Sequence, residues 1–185
     1  TSTPGVMYDF SADRTYAEVI GYEGTATKVK IAEEYNGVPV KSIYDGAFYD
    51  CYNLTSVVIP DSVTSIGEKA FYNCTSNETV ALPKIETIPY RAFYNNTSLT
   101  KVTFTTLCKT VKYEAFMNCT SLTELYIPDS VTTIGDYAFY GCRYLERVVI
   151  GNGVTMIGEY AFDKCNSLQY NTYNGVKYLG SINNP

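Results

Sequence analysis

The dipeptide Ala-Phe recurs at Ala47, Ala70, Ala92, Ala115, Ala138 and Ala161, at intervals of 23, 22, 23, 23 and 23 residues. A period of this length, held over six copies, is the mark of a stacked array. Each unit is too small to bury its own apolar face, so neighbours must bury one continuous core together. The segments IPDSVTSIGEKAFYNC (59–74) and IPDSVTTIGDYAFYGC (127–142) are therefore one structural unit met three periods apart. A duplicated catalytic motif is not needed to explain them.

Aligning the copies on Ala-Phe exposes further columns. Four residues after each Ala stand Cys51, Cys74, Asn96, Cys119, Cys142 and Cys165, and seven after stand Leu54, Asn77, Leu99, Leu122, Leu145 and Leu168. Then come Val57, Val80, Val102, Leu125 and Val148, each followed two residues later by Ile59, Leu82, Phe104, Ile127 or Ile150. Apolar residues two apart are strand periodicity with one face inward. Pro60 and Pro128 close the strand, since proline cannot donate to a ladder. A second apolar pair follows (Val63/Ile66 through Val154/Ile157), then Gly67, Gly135 or Gly158, read as a tight turn. The acids Asp45, Glu68, Asp136 and Glu159 stand just before Ala-Phe, where they would complement the N-terminal dipole of a short helical turn. The expected fold is a repeat solenoid. Each ~23-residue coil contributes one short parallel strand, with a 3₁₀ or single helical turn opposite. Six coils at the strand spacing make a column roughly 30 Å long.

The pattern Leu-x-x-Val-x-Ile-Pro-x-Ser-Val-x-x-Ile-Gly-x-x-Ala-Phe-x-x-Cys resembles the BspA-like, treponemal-type leucine-rich repeat, over about residues 26–172. The resemblance implies an extracellular or cell-surface location and a binding or adhesion role, as in surface or secreted proteins of host-associated bacteria and some protists. Two departures stand out. Asn77 replaces the column Leu in a unit one residue short, and Cys108 replaces the Val of the second pair, so local irregularity is expected around 74–90.

Three regions are expected. Residues 1–25 carry alternating apolar residues around a polar turn and read as a capping hairpin. Residues 26–172 hold about six repeats. Residues 173–185 repeat the Asn-Gly hairpin signal of Asn36-Gly37 and read as a truncated continuation of the array. The chain is expected to be a monomer, with an end-to-end dimer through an uncapped C-terminal edge as the alternative.

Composition removes several function classes. Net charge is −5 with no basic run, which argues against nucleic-acid binding. No apolar stretch approaches the roughly 20 residues of a membrane span, and no leader is visible ahead of Thr1. The chain has no His, and no Gly-rich phosphate loop or Cys-x-x-Cys, so neither a nucleophilic constellation, a cofactor nor a metal centre is expected. Six cysteines invite a disulfide framework. Equivalent positions in stacked coils point inward in parallel, however, and Asn96 interrupts their column, so a buried ladder of free thiols is preferred.

Specificity should then lie where copies differ. The outward residues of the strand column are Val58, Ala81, Thr103, Tyr126 and Val149, and two residues earlier Ser56, Thr79, Lys101, Glu124, Arg147 and Tyr170. Of these, Lys101, Glu124, Tyr126, Arg147, Val149, Val58, Thr103 and Tyr170 are the candidate ligand-binding residues, with the opposite charges of Lys101, Glu124 and Arg147 on successive strands. Tyr and Arg are enriched at interaction hot spots. A second stripe, Tyr49, Tyr72, Tyr94 and Tyr140, follows the core Phe and should lie half exposed on the opposite side. The expected function is a non-enzymatic surface module that binds a protein or glycan through the open sheet face. The alternative is a structural spacer with no ligand of its own.

Overall fold

The computed structural model describes residues 2–173 and 176–178. The chain enters through an antiparallel hairpin, β1 (Val6–Phe10) and β2 (Ala17–Tyr22), whose turn is tied by Ser11, Asp13 and Tyr16. A partial coil follows with β3 (Lys28–Lys30), β4 (Glu34–Tyr35) and β5 (Val38–Ile43). Each later coil contributes two strands. These are β6 (Ser56–Val58) and β7 (Ser65–Ile66), β8 (Thr79–Ala81) and β9 (Thr87–Ile88), β10 (Lys101–Thr103) and β11 (Thr110–Val111), β12 (Glu124–Ile127) and β13 (Thr133–Ile134), and β14 (Arg147–Ile150) and β15 (Met156–Ile157). The described strands end with β16 (Asn171–Tyr173) and β17 (Val176–Tyr178), an antiparallel pair. The Asn174-Gly175 turn between them and residues 179–185 lie outside the described residues.

The solenoid is the one the period demands, with two amendments. The second apolar pair also forms a strand, so each coil has two parallel strand columns rather than one. The segment opposite is not a helix. Each coil places two residues there in the left-handed region. One stands just before the Ala (Gly46, Lys69, Arg91, Glu114, Tyr137, Tyr160), the other three after it (Asp50, Asn73, Asn95, Asn118, Gly141, Lys164). This conformation costs a non-glycine residue about 1–2 kcal/mol. It persists because it turns the amides away from their own coil and onto the next one. Phe48, Phe71, Phe93, Phe116 and Phe139 donate to the carbonyls of Ala70, Ala92, Ala115, Ala138 and Ala161 at 2.7 to 2.9 Å, with parallel ladders on either side.

That geometry corrects the role of the acids. Asp45 and Asp136 do not start a helix. Their Oδ1 atoms accept from the backbone N of Glu68 (2.8 Å) and Glu159 (2.9 Å), one coil further on. The glycines are corrected too. Gly67, Gly135 and Gly158 are not in the left-handed region. A Cβ there would press on the preceding coil, 2.4 Å from Asp45 N, 2.8 Å from Tyr113 N and 2.4 Å from Asp136 N.

Inside, Phe48, Phe71, Phe93, Phe116, Phe139 and Phe162 form one parallel stack with centroids 5.0 to 5.3 Å apart and planes within 7°. Each contact adds about 0.5–1.5 kcal/mol beyond its buried area. The cysteines are free thiols. Cys74, Cys119, Cys142 and Cys165 point at the Phe carbonyl of the preceding coil, Sγ to O 3.1 to 3.4 Å. Asn96 does the same with a stronger donor, Nδ2 to Phe71 O at 2.7 Å. Small size and a donor are what the column selects.

The short coil behaves as expected. Its missing residue is taken from the loop between its two strands, where Ile85 N bonds Pro83 O instead of the Val63–Pro60 and Val131–Pro128 spacing of its neighbours. There β6 meets β8 through Ser56 and Thr79 alone, and β7 and β9 do not pair. At the C-terminal side β15 pairs only with β13, and Ile157, counted with the core by its column, is 47% exposed against 0% for Ile134.

Candidate functional site

The open sheet face is built by the first strand column, β3, β6, β8, β10, β12 and β14, all parallel. Alternation sends Val80, Val102, Leu125 and Val148 inward and leaves the flanking residues in solvent. Lys101, Thr103, Glu124, Tyr126, Arg147, Val149 and Val58 are all exposed, as their columns require. Tyr170 is exposed as well, but it precedes β16, which pairs with β17 and not with β14.

In β12 and β14 the register places Glu124 beside Arg147 and Tyr126 beside Val149. No ion pair closes between Lys101, Glu124 and Arg147 among the described residues. Tyr126 takes up both charges instead. Its hydroxyl lies 3.3 Å from Glu124 Oε2, and the Arg147 guanidinium sits 5.8 Å over its ring. The ladder hydrogen bonds are interrupted between β10 and β12, so Lys101 and Thr103 belong to a separate run of the sheet. The result is a compact unit of one ring, one carboxylate, one guanidinium and an aliphatic neighbour. Tyr126 at the centre of this unit is 52% exposed. Such a unit can stack on an apolar or sugar face and offer both hydrogen-bond signs at its rim.

The turn face holds the second tyrosine stripe and, beside it, an ion pair that the sequence columns did not single out. Tyr49, Tyr72 and Tyr94 stack face to face at 4.7 Å with planes within 5°, as the stripe implied. Met117 breaks the column, and Tyr140 instead packs on Tyr137 at 5.5 Å. Beside the stack, Arg91 forms an ion pair with Glu114, whose side chain is buried. Arg91 also lies 4.9 Å over Tyr90 and 5.2 Å over Tyr94. The Glu114 carboxylate accepts a hydrogen bond that raises the Tyr113 pKa. Both charges sit just before the Ala of Ala-Phe, so a sequence signal existed: opposite charges one period apart in one column.

Two clefts lie at the N-terminal end. A cleft of about 630 Å³ lies between residues 2–6, Tyr8, Lys30 and 32–36. There Tyr8 stacks on Tyr35 at 4.8 Å while its hydroxyl bonds Ser2 Oγ and the Ala32 N–H. A smaller one, about 280 Å³, is lined by Tyr22, Gly24–Ala26 and Tyr49–Leu54. Among the described residues no group of three or more His, Cys, Asp or Glu could hold a metal ion, and no helix is long and apolar enough to cross a membrane.

Residues 41–179 match six copies of the BspA type leucine rich repeat region. Among solved structures the chain is similar to a leucine-rich repeat protein of T. pallidum, at 31% identity over 91% of this chain and 80% of that one, with a TM-score of 0.86. It is also similar to one from Bacteroides ovatus, at 30% identity over 90% of this chain and 45% of that one, TM-score 0.83. A leucine rich cell surface protein of Faecalibacterium prausnitzii aligns at 27% identity over 100% of this chain and 59% of that one, TM-score 0.74. Against these last two the chain spans about half the partner's length. The search of curated proteins gives no match.

Proposed function

The chain belongs to the BspA type leucine-rich repeat family, and from that premise we propose that it is a non-enzymatic binding module of a bacterial surface protein, engaging a protein or glycan through its open sheet face. One observation carries the reading. The Tyr126–Glu124–Arg147 unit is built on two rigid, paired strands, is exposed, and differs from the same positions in every other coil. Rigid elements hold a recognition group with less entropic loss than loops do. The cell-surface role named for the Faecalibacterium protein supports the location.

The test is display of the chain on a non-adherent bacterium and measurement of attachment to epithelial cells. Tyr126→Ala with Arg147→Glu should lower attachment at least about thirtyfold, as expected for loss of a hot spot worth about 2 kcal/mol. Retained attachment by that variant, lost only when the array is deleted, would refute the sheet face as the site. If deletion of the array also changes nothing, the chain is a spacer.

A further inference from the structure

The N-terminal segment pairs with both strand columns of the first coil. Strand β2 pairs with β5, and Thr3 exchanges hydrogen bonds with Lys30 across β3. On the turn side Tyr22 packs on Phe48 at 5.8 Å, and beside that contact lies the cleft of about 280 Å³. Small-molecule sites run from about 300 to 1,000 Å³, so this one suits a single side chain.

Its chemistry follows from the repeat. In every later coil the carbonyl that follows the core Phe accepts an N–H from the coil before: Tyr72 from Asp50, Tyr94 from Asn73, Met117 from Asn95, Tyr140 from Asn118. Tyr49 is the first of this series and has no such donor among the described residues. Among them its carbonyl meets only the Cys51 thiol, 4.0 Å away. Its ring is the first of the three-ring stack, lies against Tyr72 and lines the cleft. Asp50 is the first of the amide ladder. It accepts from Asn73 Nδ2 at 2.9 Å and from the Tyr52 hydroxyl, and has no ion-pair partner among the described residues. A carboxylate has about four acceptor positions, so Asp50 keeps capacity.

The repeat's first coil therefore presents a ring face, an outward carbonyl and an unpaired carboxylate at one place. Nothing in the cleft supplies positive charge. The same stack shows what it accepts elsewhere, since the Arg91 guanidinium rests over Tyr94. We propose that this cleft is a recognition site for a guanidinium group, which would stack on Tyr49 and donate to Tyr49 O and Asp50. A planar cation fits this set because it combines a stacking face, several in-plane donors and a positive charge. An ammonium would satisfy the charge and lose the stacking. The site is distinct from the sheet face and independent of it.

The test is titration of the ¹⁵N-labelled chain with N-acetyl-L-argininamide. The comparators are the uncharged isostere N-acetyl-L-citrullinamide and N-acetyl-L-lysinamide. Saturable shifts are expected in amides of 22–26 and 49–54, with the citrulline compound at least tenfold weaker. Asp50→Asn keeps an acceptor for Asn73 and tolerates the left-handed backbone. It should weaken binding at least fivefold, as should Tyr49→Ala, while Tyr126→Ala leaves it unchanged. Equal binding of the arginine and citrulline compounds, or wild-type binding by folded Asp50→Asn and Tyr49→Ala, overturns the site. So does the lack of saturation at about 10 mM, which places binding well short of the millimolar range. An Ac-Gly-Gly-Arg-Gly-Gly-amide arm separates sources. Tighter binding than the single residue supports the site as a reader of arginine in a protein partner, and equal binding supports recognition of the guanidinium side chain alone.

Discussion

Asn77 and Asn96 are buried amides at positions where this chain leaves its own repeat, and they are coupled. Asn77 is 2% and Asn96 0% exposed. Asn77 Nδ2 donates to Asn96 Oδ1 at 3.1 Å, and Asn96 Nδ2 donates to Phe71 O at 2.7 Å, while Asn77 Oδ1 has no partner. Consider restoring the repeat with Asn96→Cys. The thiol still reaches the Phe71 carbonyl, as Cys119 reaches Phe93. Asn77, however, is left with both ends of its amide unpaired, at a cost of about 1–3 kcal/mol. Asn77→Leu alone strips the donor from Asn96 Oδ1, costing a similar amount. The buried leucine offsets it by about 1.5–3 kcal/mol, so this variant should be near neutral. The double variant removes both amides and matches the four regular coils, so it should equal or exceed wild type. A coupling energy of about 1–2 kcal/mol is expected. Urea melts followed by tyrosine fluorescence, at constant m-value, measure all four corners. An Asn96→Cys midpoint equal to wild type, or a cycle additive to within about 0.5 kcal/mol, refutes the reasoning.

Two further outcomes follow from the buried charges and thiols. Burial pushes Cys51 and Cys108 up to about 11, and Cys74, Cys119 and Cys142 higher still. Their protons are held more tightly folded than unfolded. This contribution to stability is complete below the unfolded pKa near 9 and is lost as pH rises through 11. The melting temperature should fall over pH 9–11, and a disulfide reagent at pH 8 should find no fast thiol in the native chain but six after denaturation. A flat profile, or fewer than five thiols, contradicts the ladder. Arg91→Ala should cost about 1–3 kcal/mol, below the roughly 3–5 of a fully buried pair because Arg91 stays 30% exposed. Adding Glu114→Gln should recover part of it, and a larger loss in the double variant would refute the pairing.

The period was legible because it is a property of spacing. Ala-Phe every 22 or 23 residues, the inward Val/Leu pairs and the small donor column led directly to the stacked core, and the irregular stretch around 74–90 was visible as a missing residue. The outward strand residues were legible for the same reason, since strand alternation assigns each to a face. Their partnerships were not. That Tyr126 takes both Glu124 and Arg147, while Lys101 lies across a gap in the ladder, depends on which neighbouring strands keep their hydrogen bonds.

What the sequence determined by itself is thus the repeat, its inward columns and the positions free to vary. The tertiary structure alone decided the turn side. Lys69, Arg91, Glu114, Tyr137 and Tyr160 carry no local preference for a left-handed backbone, and a single coil would not adopt it. Their conformation is set by amides that find acceptors only in the next coil. For the same reason Asp45 and Asp136 serve a neighbour rather than their own turn. The first coil, with no turn segment before it, keeps the Tyr49 carbonyl and ring open. A hydrogen bond between coils has its donor and acceptor about 23 residues apart, and no local pattern of residues specifies its direction.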